Sequence, residues 1–155
     1  MAVRFVALDT SDVRRLQSGG ADINGHTPER VTHPSSTVPC RHCLGQVEKG
    51  DPFLILAYRP FPEAQPYAEQ GPIFLHADAC ERGGGDDKVP AMFGSPEYIM
   101  RGYNSHDRIV YGSGRIVPTE RMTGVAEEMF ADPQIRYIHV RSATNNCYHC
   151  RIDRA

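Results

Sequence analysis

The sequence predicts an α+β fold: a small, mainly antiparallel sheet with one main helix, about residues 119–132, and a zinc-knuckle-like element at one end. Three observations lead there. Short apolar or alternating runs recur between turn-rich stretches, in a chain of 155 residues with 14 Gly and 12 Pro, as brief strands do. One stretch alone carries apolar residues at a clear helical period. Finally, Cys40 and Cys43 have two residues between them, and His76 and Cys80 follow at the end of the next pair of apolar runs.

Length and charge narrow the options. A chain this long forms one domain, residues 1–155, and on folding buries about 68–70% of the surface its unfolded form exposes. Within it, residues 21–38 read as a polar loop and 83–88 as a flexible tip. A net charge of −2 argues against nucleic acid as a general partner. The longest apolar run, 53–58, is too short to span a bilayer, which argues against a membrane role. The N-terminus shows no basic segment followed by an apolar one, so no signal peptide is expected. The five cysteines, an odd number with two Cys-x-x-Cys pairs, favour metal ligands or free thiols over disulfides. A cytoplasmic protein is expected.

The elements follow in order. Residues 3–8 alternate as a strand, and Asp9-Thr10-Ser11-Asp12 can cap a short helix over 13–17 that Gly19-Gly20 stops. Residues 53–58 are apolar on both faces, as in a central covered strand, and 73–76 form a second strand beside it. Four prolines exclude regular structure from 59–72, a loop long enough to suggest function. Ser95-Pro96-Glu97 has a helix-opening pattern, predicting a short helix through Met100. Residues 108–111 and 115–117 flank Gly112-Ser113-Gly114 as a hairpin. Met122, Val125, Ala126, Met129 and Phe130 make the apolar stripe of the main helix, with Thr119 as its cap and Asp132-Pro133 as its end. A terminal hairpin closes the chain, from 135–142 to 147–154.

The metal argument rests on ligand type and spacing. Zinc takes four ligands, commonly thiolate and imidazole in structural sites, so a Cys-x2-Cys turn needs a second Cys/His pair elsewhere. His76-x3-Cys80 supplies one, giving Cys40, Cys43, His76 and Cys80 around a structural zinc. His42, inside the first pair, is able to replace one of them. The competing reading makes Cys43 and Cys80 small buried apolar residues. The Cys pair, turn, apolar strand, loop and second strand ending in His and Cys resemble a treble-clef-type zinc finger. Such fingers usually place two residues between the last His and Cys, whereas this chain has three. For Cys147 and Cys150, strand alternation puts the two sulfurs on opposite faces, which favours packing over metal.

A polar cluster lies near the C-terminus. Tyr137, His139 and Arg141 share one face of a strand, opposite Ile138 and Val140, and Asn145, Asn146, Tyr148 and His149 follow. Such a row suits a small anionic ligand, with Arg141 as bidentate donor and His139, Asn146 and Tyr148 around it. The plainer reading is a solvated sheet face. Two functions follow: a zinc-stabilised binding module for a protein or small anionic ligand, or an enzyme with a pocket lined by His139, Arg141 and Tyr148.

Pro39-Cys40-Arg41-His42-Cys43-Leu44, Gly71-Pro72-Ile73-Phe74 through His76 and Cys80, and His139-Val140-Arg141-Ser142-Ala143 ahead of Asn146-Cys147-Tyr148 together resemble one bacterial family, the domain-of-unknown-function family numbered 1203. The resemblance implies a bacterial, single-domain protein and carries over no catalytic residues.

Overall fold

A computed structural model describes residues 2–155. In chain order it contains β1 (Val3–Val6), α1 (Thr10–Gln17), β2 (Glu29–Val31), β3 (Val38–Pro39), β4 (Gln46–Val47), β5 (Phe53–Tyr58) and β6 (Gly71–His76). Then come β7 (Glu97–Tyr103), β8 (Arg115–Pro118), a 3-10 turn (Thr119–Arg121), α2 (Met122–Met129), β9 (Tyr137–Ser142) and β10 (Tyr148–Arg154). The main sheet has the order β1-β10-β9-β7-β8, a second sheet the order β2-β5-β6, and β3 pairs with β4. Every ladder is antiparallel.

Each sheet buries one face under a helix. On the main sheet, Phe5, Met100, Ile138, Val140 and Ile152 meet Met122, Val125, Ala126 and Met129 of α2. The helical stripe read from the sequence is therefore the core-facing side of α2, and Phe130 is buried with it. Each such large side chain contributes roughly 1.5–3 kcal/mol on full burial. A charge at Ala126, which is fully buried, would break this layer. On the second sheet, Val13 and Leu16 of α1 join Leu54, Leu56, Ile73 and Leu75. α1 starts where the Asp9 carboxylate accepts the Ser11 and Asp12 amides, and it stops at Ser18 and Gly19, the latter at φ 94°. As expected, β5 is the central strand of its sheet.

The structure departs from the sequence reading in several places. Residues 97–103 form strand β7, where a helix through Met100 is predicted. A Ser-Pro cap contributes only about 1 kcal/mol, while β7 gains ladders to β8 and β9 and buries Tyr98 and Met100 on one face. The hairpin predicted around Gly112 does not form, because 115–118 pairs with β7 and Ile109 makes only a bridge to Tyr103. Thr119 does not cap α2; its hydroxyl donates to the Ser95 carbonyl at 2.6 Å, and the helix ends at Met129, short of Asp132. The polar stretch 21–38 contains β2, paired with β5. The stretch read as a flexible tip lies along β1, with Gly85 donating to the Phe5 carbonyl and Phe5 to that of Asp86. Among the described residues no helix is long and apolar enough to cross a membrane.

Candidate functional site

Two half-sites converge next to the second sheet. β3 delivers Cys40 into a tight turn, closed by Leu44 donating to the Cys40 carbonyl and Cys40 to that of Gly45, with Leu44 at φ 57°. β6 ends on His76, and Cys80 follows four residues on. The ligand atoms of Cys40, Cys43, His76 and Cys80 all lie within 4.8 Å of one another and could hold a metal ion. Tetrahedral geometry with bonds of about 2.3 Å to sulfur and about 2.0–2.1 Å to nitrogen puts ligand atoms about 3.8 Å (S to S) and about 3.5 Å (S to N) apart. The Cys40 and Cys80 sulfurs are 4.0 Å apart, and Cys43 Sγ is 3.6 Å from His76 Nδ1. The donor set and its spacing fit such an ion.

The sulfurs lie within hydrogen-bonding reach of one another. Hydrogen bonds from Cys43 and then Cys80 pull the Cys40 thiol far below its ordinary range, and the bond to Cys40 pushes Cys80 far above it. The cluster thus already favours thiolate at its buried member.

Several supporting residues have no signal in the spacing. His42 lies outside the four-residue cluster. Its Nδ1 lies 3.1 Å from Cys80 Sγ and its Nε2 2.9 Å from the Thr10 hydroxyl, so it stands behind the cluster as an outer hydrogen-bond partner. α1 clamps the second half-site: Gln17 donates to the carbonyls of His76 and Asp78, and Arg14 to that of Cys80. Gly83 donates to the His42 carbonyl, and a Cβ there would collide with the Cys43 carbonyl. The interior His and the Gly were the only cues available in sequence.

The polar strand is no solvated face. Tyr137, His139 and Arg141 of β9 are buried, covered from the 59–70 segment by Phe61 and flanked by Tyr103. His139, 1% exposed, is ringed by Phe61, Tyr103, Tyr137 and Tyr148 with centroids 4.8–5.0 Å away. Burial, then Arg141, holds it well below its ordinary pKa, so it is neutral, and its Nδ1 has no partner. It does not line the neighbouring cavity.

Arg141, Asn146 and Tyr148 do, together with Glu69, Pro72 and Cys147, around a cavity of about 180 Å³. Arg141 is 4% exposed; Nη1 donates to the Asn146 carbonyl at 3.0 Å, and Nε and Nη2 have no partner. Glu69 is shared: it pairs with Arg101 at 2.8 Å, reaches Arg141 only at 3.7 Å, and accepts from Asn146 Nδ2 at 3.3 Å. One carboxylate against two guanidiniums leaves this region positive. Cys147 sits in the turn before β10, while Cys150 is buried in the main core behind a bulge. Neither belongs to the metal cluster.

Fold and site together define a small antiparallel α+β domain with a Cys3His cluster that could hold a metal. The chain belongs to the family described as Protein of unknown function (DUF1203), which it matches over residues 37–154. That span holds all four cluster residues and Arg141, but not β1 or α1. No curated protein and no solved structure matches the chain.

Proposed function

We propose that this is a zinc-stabilised binding domain that holds a small anion at Arg141. Arg141 carries the reading: a guanidinium 4% exposed, lining a cavity, with two of its three nitrogens unpartnered. Burying such donors unpaired costs about 1–3 kcal/mol or more, a cost that a carboxylate or phosphate bonded to the guanidinium would relieve. Asn146 and Tyr148 complete the wall, with the His139 cage behind them. A thiolate-rich tetrahedral donor set favours zinc over harder ions, and free thiols suit the cytoplasm.

An enzyme reading needs His139 as the proton-transfer group, and an imidazole sealed among four rings supports it poorly. The test is a thermal-shift titration with inorganic phosphate and simple carboxylates. Wild type should be stabilised and Arg141→Gln should not; no shift in wild type would sink the anion site. Elemental analysis should find about one zinc per chain, lost in Cys40→Ser.

A further inference from the structure

Pro72, Asn145 and Cys147 wall the Arg141 cavity, and they also wall a second cavity of about 340 Å³ on its far side. Its buried polar side chains are Arg41 and His149, with Thr37, Gln46, Ser95, Ser142, Thr144 and Asn145 nearer solvent. Arg41 is 2% exposed; Nε donates to the Tyr148 carbonyl and Nη1 to that of Pro39, both at 2.9 Å. No carboxylate pairs with it among the described residues, and Nη2 has no protein acceptor there. His149 Nδ1 is 3.0 Å from the Cys147 carbonyl, which can only accept, so Nδ1 carries the proton. Burial, then Arg41, pushes its pKa down to about 4, so the ring is neutral at pH 7 and Nε2 keeps a lone pair. The buried end of the second cavity therefore offers a donor on Arg41 and an acceptor on His149, near Phe74, Met92 and Tyr98.

We propose that the two cavities are one elongated site for a small molecule with an anionic group at Arg141 and an uncharged head, carrying both acceptor and donor, at Arg41 and His149. A planar carboxamide is the simplest such head. The proposal rests on the anion site at Arg141. A second anion fits the Arg41 end less well, because the neutral His149 presents it with a lone pair and not a donor.

Isothermal titration of the zinc-loaded protein tests this with ω-amido carboxylates of four to six carbons, monocarboxylates of the same lengths, and inorganic phosphate. At one chain length at least, the amido acid should bind tenfold or more tighter than its monocarboxylate. His149→Phe should remove that advantage and leave phosphate binding intact; Arg141→Gln should abolish both. If His149→Phe does not fold, Gly94→Met serves, because the nearest atom to a Cβ at Gly94 is 4.0 Å away and the longer side chain fills the second cavity. Equal binding of amido acids and monocarboxylates, with phosphate still bound, overturns the elongated site and leaves the Arg141 reading standing. Failure of phosphate to bind removes both.

Discussion

Cys40-Arg41-His42-Cys43 and Cys147-Tyr148-His149-Cys150 share their spacing and their interior histidine. In the first, the chain turns tightly and two sulfurs face a second pair at His76 and Cys80. In the second, the chain enters a strand, so Cys147 stays in the turn while Cys150 enters the core. The histidines part in the same way. Nδ1 of His42 faces the Cys80 sulfur, and Nδ1 of His149 faces a backbone carbonyl in its own turn. Spacing states that two sulfurs are near; only the backbone path and a facing pair bring them into a cluster that could hold a metal.

The sharpest way to break this contrast is to remove a ligand. Cys40→Ser or Cys80→Ser should abolish metal content and cooperative unfolding of the second sheet, since apparent zinc energies of about 10–16 kcal/mol rival the whole stability of a domain. A Cys40→Ser protein that keeps its metal and its melting temperature ends the claim.

Acid should act through the buried neutral histidines, His149 of the second tetrapeptide among them. His149 titrates at about 4 when folded against 6.5 when free, so the unfolded chain binds the extra proton between those values. Stability contributed by the neutral ring is complete above about pH 6.5 and falls as pH drops, by about 3 kcal/mol near pH 4. Denaturant titrations should show that loss in wild type and a smaller one in His149→Phe; parallel pH curves would refute it.

Gly83→Ala should cost about 1–3 kcal/mol through its clash with the Cys43 carbonyl and should loosen metal retention against a chelator. Cys150→Ser should cost a similar or smaller amount, about 1–3 kcal/mol, by placing a hydroxyl in an apolar core, with metal content unchanged. Cys147→Ser should fall within about 0.5 kcal/mol, and metal loss in that variant would erase the distinction between the two motifs.

Much of this was legible in sequence because the signals were chemical or strongly periodic. Four Cys and His residues at ligand spacing have few other uses, and Met122 to Phe130 repeat at 3.6. The failures share a cause, which is that local pattern says nothing about what covers it. Ser95-Pro96-Glu97 resembles a helix start, but two neighbouring strands decide the conformation of 97–103. The alternation of β9 resembles a half-wet strand, yet Phe61, some 80 residues away in sequence, closes over it. The support that α1 gives the metal cluster, through Thr10, Arg14 and Gln17, was equally invisible.

β1 pairs only with β10 in the main sheet, Val3 opposite Arg154 and Phe5 opposite Ile152. During synthesis β1 must wait for β10. Such closure between distant segments slows folding, because chain entropy is lost before the contacts repay it. Residues 40–80, by contrast, are all made before β7 begins. A growing chain would accordingly complete its Cys/His cluster early and zip its main sheet later. Refolding from denaturant should then be slow even with zinc supplied, with the late phase sensitive to Phe5→Ala and the early one to Cys43→Ser.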